Sequence, residues 1–374
     1  MASFSRITVH GCRALCGTHV ASVQVFPQDT ARQLQRQFAL SAGEPGACYR
    51  LVLGTHILGE DVTLAAAGIH DGSTVSILNQ GRRVVAGCSD STAKIWNLDT
   101  GERMVTLAGH GDRVRAVAVS PDGLTVATGA DDSTARLWSV LTGKCMSVLE
   151  GHSGGVLSVE FSPEGRDVMT SSQDKSVRIW SASTGACRLT VASPAAVGSS
   201  AVYSPDGSLV ATSSDLDAEL RIWDAAGGDC LITLTGHSDG VSCVSFSPEG
   251  SYLVSGSFDG TARVWDALSG ECRLTLTGGG SSVNSVAVSP DGCSIVTGSD
   301  DGMASVWSAV TGVRETRLWG HTGCVNSTAF SQDGLSLVTG SDDGTAKVWN
   351  VKTCECKLTL VALAGFVYSV SLFA

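Results

Sequence analysis

The chain has 374 residues, 43% hydrophobic and 16% charged, with 44 Gly, only 8 Pro and a net charge of −11. That balance excludes a disordered, collagenous or membrane-spanning chain and suits a globular protein with many tight turns. Residues 1–81 hold five Arg, no Lys and five acids, so the whole negative balance falls on the remainder. A surface that acidic repels phosphate backbones and argues against nucleic acid as the main partner. The 13 Cys are odd in number and scattered, and the start MASFSRITVHGCRALCG lacks an apolar signal segment. We expect a soluble protein, cytoplasmic or nuclear, with reduced thiols.

In chain order, ITV and ASVQV predict a strand hairpin, and DTARQLQRQFAL predicts a helix. Asp29 or Thr30 is its N-cap, and Leu34 and Phe38 share its apolar face. YRLVLG, ILGEDVTLAAAGI and GSTVSILN follow, for a β-β-α-β-β order. PQDT at 27–30, RLVLG at 50–54, the stretch from Leu58 to Leu64, and GI with GSTV at 68–75 resemble ubiquitin. The resemblance implies an α+β ubiquitin-like roll over residues 1–80. It places Val52 and Leu78 at two positions of ubiquitin's apolar recognition patch. No Gly-Gly follows Asn79 and no Lys precedes Lys94, so conjugation and chain building are excluded. A fixed mimic that docks onto a partner remains, as does a plain packing role for the two side chains.

From residue 82 a repeat takes over. Trp96, Trp138, Trp180, Trp223, Trp265, Trp307 and Trp349 recur every 42 residues, once 43, and only Trp319 stands outside the series. Within each unit, runs such as GVSCVSFS and TARVWD read as short strands between SPDG-type, SDDG-type and TG-type turns. Four strands per unit, a to d, cannot bury both faces alone, so units must pack around an axis. The first unit lacks a strand a, and the chain ends on one, FVYSVSLFA. The C-terminal strand therefore completes the first blade, removing two open sheet edges. Gly-His at 109–110, 151–152, 236–237 and 320–321, with Trp-Asp at 223–224 and 265–266, strongly resemble the WD-repeat family. That resemblance implies an all-β seven-bladed propeller over residues 82–374.

His110, His152, His237 and His321 each precede an Asp by 22 residues: Asp132, Asp174, Asp259 and Asp343. Thr128, Thr170, Ser255 and Thr339 stand four residues before those Asp, and Trp138, Trp180, Trp265 and Trp349 six after. A nucleophile triad needs one such set in one cleft, whereas four copies at a structural period predict a hydrogen-bonded tetrad per blade. WD-repeat proteins carry such a tetrad. Three units depart from it. The fourth has Pro194 for His and keeps Ser213, Asp217 and Trp223. The sixth has Gly279 there and keeps Thr297, Asp301 and Trp307. The first has Leu363 and Ala86 and keeps Asp90 and Trp96, so the closing blade is expected to open first.

Cys145, Cys187, Cys230, Cys272 and Cys356 form one column, read as small apolar residues of strand d. No zinc-type pairing accompanies them, so neither a metal nor a cofactor is expected. Partners should meet the face that carries the b–c turns and the start of strand a. By position its residues are Arg113, Arg115, Asp131, Gln173, Phe258, Asn284, Asp300, Asn326, Asp342, Phe366 and Tyr368. A mixed Arg–Asp rim with aromatic anchors suits a protein or peptide. The expectation is a monomeric, non-catalytic scaffold whose propeller binds one partner and whose ubiquitin-like domain docks a second. Two narrower readings stand beside it. One is a ubiquitin–proteasome adaptor or substrate receptor, although no unit carries Trp-Asp-x-Arg. The other is a ribosome-assembly factor of the Notchless kind, with Glu44 or Glu60 as the docking carboxylate.

Overall fold

The computed structural model describes residues 6–13, 19–41, 49–53, 56–58, 62–79, 82–192, 199–278, 280–362 and 365–373. Glu44, Glu60, Pro194, Gly279 and Leu363 lie outside these residues. The chain forms two compact units, the first holding the residues up to Arg82 and the second the repeats.

The first unit is a five-stranded sheet with one helix. Its elements are β1 (Ile7–Arg13), β2 (His19–Val25), α1 (Ala31–Ser41), β3 (Tyr49–Leu53), β4 (His56–Ile57) and β5 (Thr74–Asn79). The strand order is β2-β1-β5-β3-β4, with β1 and β5 parallel and the other neighbours antiparallel. Thr30 is the N-cap. Its hydroxyl accepts from the Gln33 amide at 3.4 Å, and Gln33 Oε1 accepts from the Thr30 amide at 2.7 Å, a capping box. Asp29 instead accepts from the Phe26 amide. Leu34 and Phe38 point from α1 into a core with Val9, Val23, Leu51, Leu64 and Val75. Val52 and Leu78 occupy β3 and β5, and their side chains lie outside the described residues.

The second unit is seven antiparallel sheets of four strands. Blade 1 takes strand a from Val367–Phe373 and strands b to d from Arg83–Cys88, Thr92–Asn97 and Arg103–Ala108. Val370 pairs with Ala86 in that closure. Blades 2 to 7 follow in sequence, each running a to d without interruption. The SPDG-type turns joining a to b place Gly at φ of +67° to +74°, a region that a Cβ disfavours.

Each strand a has an edge with no partner strand of its own blade, and the preceding blade satisfies it through side chains. Ser158, Ser285, Ser327 and Ser369 hydroxyls accept the amides of Ala201, Thr328, Val370 and Val117 at 2.9–3.2 Å. Glu160 does the same for the Tyr203 amide at 2.6 Å. The Ser369 bond carries the belt across the closure between the two chain ends of the ring. Small hydroxyl residues at this one column thus tie strand a to the next blade at four of the seven joins of the ring.

Candidate functional site

Blades 2, 3, 5 and 7 hold the same four-residue chain. His110, His152, His237 and His321 place Nδ1 2.8–2.9 Å from Asp132, Asp174, Asp259 and Asp343. Each Nε2 lies 2.7 Å from Thr128, Thr170, Ser255 or Thr339. The indoles of Trp138, Trp180, Trp265 and Trp349 donate to the same hydroxyls at 2.8–2.9 Å. The consistent assignment is a neutral imidazole: Nδ1–H donates to the carboxylate and Nε2 accepts from the hydroxyl. Burial drives the ring toward that form and holds all four His below their ordinary pKa, against the opposing pull of the carboxylate.

Each Asp also accepts the amide that follows its His, at 2.8–3.1 Å. Burial of Asp174 opposes ionisation, but hydrogen bonds from Ser176, the Ser153 amide and His152 outweigh it and hold the carboxyl at about 2. The four hydroxyls are fully buried and already engaged by indole and imidazole, so none can reach a substrate as a nucleophile.

The three departing blades replace the missing His in different ways. In blade 1, Lys94 from strand c is buried and donates to Asp90 at 2.5 Å and to Thr92 at 2.7 Å. In blade 4, Arg221 from the same column lies 3.4 Å from Asp217 and 2.6 Å from Glu219. In blades 2, 3 and 5 that column holds Arg136, Arg178 and Arg263. Arg178 and Arg263 lie 5.8 and 5.9 Å from the centres of the Trp180 and Trp265 rings. Blade 6 has Ser305 in the column, and Arg314 of strand d lies 5.6 Å over Trp307 instead. Sequence spacing could have flagged this exchange, because Arg314 stands in the column that is Cys in five other blades.

One assignment from spacing is corrected. Trp223 donates to Thr212 at 2.9 Å, and Ser213 pairs with the Ser199 hydroxyl at 3.0 Å. The extra residue of this unit lies in its b–c turn, so counting back four from Asp217 stops one residue short of Thr212. The Cys column also differs from its expected packing role. All five thiols are exposed on the outermost strands, 3.4–3.9 Å from the carbonyl two residues on.

At the rim the structure separates anchors from ties. Arg115 grips Asp131 through Nε and Nη2 at 2.9–3.0 Å and lies 4.5 Å from the centre of the Tyr368 ring. Tyr368 meets Phe366 edge-on at 6.2 Å, Phe366 is 47% exposed, and Arg113 is exposed in blade 2. Gln173 and Phe258 stand exposed in the b–c turns of blades 3 and 5, their amides held by the Gly155 and Gly240 carbonyls. Asn284 and Asn326 serve their own ring. Their amides donate to Asp300 and Asp342 at 2.7 Å and to the next blade's carbonyls, Val325 and Val367, at 3.4 and 3.1 Å. The rim is therefore polarised, with an Arg–aromatic cluster at blades 1 and 2 and carboxylates at blades 6 and 7.

Among the described residues no group of three or more His, Cys, Asp or Glu converges on a common centre. No described helix is long and apolar enough to cross a membrane.

Seven stretches match the family model of the WD domain, G-beta repeat: 68–97, 101–139, 143–181, 185–224, 228–266, 270–308 and 312–350. The first match overlaps β5, which pairs in the N-terminal sheet, while the inner strand of that blade comes from the C-terminal end. No curated protein matches the chain. Repeats of this family generally mediate protein–protein interactions. With most of its length covered in seven consecutive matches, the chain belongs to the WD domain, G-beta repeat family.

Proposed function

We propose that the propeller is a non-catalytic scaffold that binds a protein or peptide across the Arg115–Tyr368–Phe366 cluster. The observation that carries this reading is the preorganisation of that cluster. Asp131 fixes the Arg115 guanidinium and Tyr368 stacks beneath it, while Phe366 keeps nearly half its surface in water. Arg and aromatic side chains dominate binding energy at protein interfaces, and side chains already fixed lose little entropy on binding. Phe258 and Gln173 extend the surface, and Asp300 and Asp342, in the adjoining blades 6 and 7, select partners that present positive charge there. The test is affinity capture with the full chain against an Arg115→Ala/Phe366→Ala variant. Loss of about 2 kcal/mol, roughly thirtyfold in affinity, is expected for the principal partner. An unchanged partner set overturns the reading.

The N-terminal unit serves as a second docking module with a ubiquitin-like roll. Its strand order, the parallel pairing of β1 with β5 and the helix packed on one face support this. Cross-linking of the full chain in cells identifies what this unit touches. Proteasomal partners favour a ubiquitin–proteasome adaptor, and pre-ribosomal particles favour an assembly factor. Partners confined to the propeller remove the second module.

A further inference from the structure

On the face of the ring opposite the b–c turns, a cleft of about 550 Å³ lies between blades 3 and 4. Its walls are the a–b turns of both blades, the start of strand d in blade 3 and the c–d turn of blade 4. Ile179, Leu189 and Ala225 supply its apolar lining. A cleft of this size takes a long side chain or a small ligand, not merely a water.

The lining contains a hydroxyl that packing does not require. Strand a ends on Phe161, Phe246, Phe330 and Phe373 in blades 3, 5, 7 and 1, and on Val119 and Val288 in blades 2 and 6. Blade 4 has Tyr203 there, only 8% exposed, and its hydroxyl takes no hydrogen bond among the described residues. A buried phenol normally finds a partner, as Tyr252 does between blades 5 and 6 by donating to the Gly292 carbonyl at 2.7 Å. Burial, then the Asp167 and Glu160 carboxylates, hold the Tyr203 phenol above its ordinary pKa, so it stays a neutral hydroxyl.

The charges of the lining are unbalanced. Both of its cations are already paired: Arg188 Nη1 lies 2.6 Å from each Asp167 oxygen, and Arg166 lies 3.5 Å from Glu164. Asp206 and Asp224 remain on the blade 4 side, with no ion pair among the described residues. Asp224 accepts the Gly227 amide through Oδ2 at 2.5 Å, which leaves Oδ1 for a ligand. Its equivalent in blade 5, Asp266, is paired with Arg273 of strand d. Blade 4 has Leu231 in the Arg273 column, 54% exposed, so the internal cation is missing.

We propose that this cleft is a docking site for an arginine side chain of a partner protein, which gives Asp224 the cation that Arg273 gives Asp266. The guanidinium offers five N–H donors to Asp224, Asp206 and the Tyr203 oxygen. Its methylene stem lies along Ile179, Leu189 and Ala225, as long basic side chains cover apolar surface while their heads stay polar. Four carboxylates against two guanidinium groups in the lining reject an acidic side chain. The site is on the face opposite the Arg115–Tyr368–Phe366 cluster and stands independently of it.

The probe is N-acetyl-arginine methylamide, titrated to about 50 mM into the full chain at fixed ionic strength while isoleucine methyl signals are followed by NMR. The Ile179 methyl, assigned with Ile179→Val, is expected to move saturably with a Kd on the order of millimolar, while Ile295 of blade 6 holds still. The uncharged citrulline analogue should bind about tenfold more weakly. Asp224→Asn takes the residue that blades 1 and 7 have at this position, and should weaken binding about tenfold. Leu231→Arg supplies the missing internal cation and should compete to a similar degree. Tyr203→Phe, the residue of four other blades, should cost about threefold. The proposal is overturned by no saturable shift at Ile179, by an equal response to the citrulline analogue, or by full binding in Asp224→Asn or in Leu231→Arg. An Ile179 shift that grows with protein concentration alone overturns it too, by seating a second copy of the chain in the cleft.

Discussion

Blades 2, 3, 5 and 7 are tied by a neutral chain of hydrogen bonds, whereas blades 1 and 4 bring a cation to the same Asp. Both devices fix the b–c turn to strand c, but they differ in what they bury. The neutral chain hides its hydroxyl completely and ends on a carboxylate held by several donors. The ionic version keeps its carboxylate partly wet, with 26% of the Asp90 side chain exposed against 6% for Asp259. Desolvation explains the difference, since a buried charge is tolerated only with full compensation. The expectation from sequence that blade 1 is loosely tied therefore needs revision, because Lys94 restores a link that the missing His removed.

The largest effect should come from Asp259→Ala. It strips the acceptor from His237, the Ser238 amide, and both the amide and hydroxyl of Thr261. We expect about 4 kcal/mol of destabilisation by urea unfolding, from several orphaned donors at once. Asp301→Ala in blade 6, where one amide is the recorded donor, should cost about 1 kcal/mol or less. Equal losses at the two sites would erase the distinction between the blades.

Next in size is Lys94→Met, expected to cost about 2 kcal/mol by leaving Asp90 unpaired in a partly wet site. Asp90→Asn in the same chain should recover part of that loss, so a double-mutant cycle gives a coupling energy. The ionic device should also be the more responsive to salt. His237→Gln, tested in parallel at low and high salt, should show no such dependence.

Acid separates the two devices as well. The four buried His have lowered pKa values, so each contributes stability that is full above about pH 6.5 and is lost as pH falls toward its folded value. The tetrad Asp carboxyls are also lowered, so their contribution persists above about pH 4 and fades only below it. Unfolding midpoints measured from pH 8 to 5 should fall, with a slope that decreases in His237→Gln. A slope unchanged by that substitution would mean the ring takes up its proton as readily in the folded blade as in the unfolded chain.

The period of the Trp residues made the seven blades and their closure legible, because every unit repeats its strand and turn chemistry in register. The tetrads were legible for the same reason: four copies at identical spacing define a geometry. What replaced His in the other blades was harder to read, since Lys94 and Arg221 occupy a column whose residues elsewhere stack on Trp. Only the fold shows which way such a long side chain turns. The rim likewise divided late, because Asn284 and Asn326 look like ligand groups until the neighbouring carbonyl is in place. Thr30 over Asp29 was settled by the reciprocal bonds with Gln33. Ser213 was misplaced where the period slips from 42 to 43, and that slip supplies the finest test.

Blade 4 places two adjacent hydroxyls within reach of the tetrad position, and only one faces the indole. Thr212 is the acceptor for Trp223, so Thr212→Val leaves a buried N–H without a partner and should cost about 1–2 kcal/mol. Ser213 points the other way, toward Ser199, whose hydroxyl also donates to the Val241 carbonyl of the next blade at 2.9 Å. Ser213→Ala removes a neutral bond that Ser199 can forgo, so the expected loss is about 0.5 kcal/mol. The Trp223 indole signal should move in Thr212→Val and hold still in Ser213→Ala. The reverse pattern would put the extra residue of this unit before strand b rather than in the b–c turn, and would return blade 4 to the register of blades 2, 3, 5 and 7.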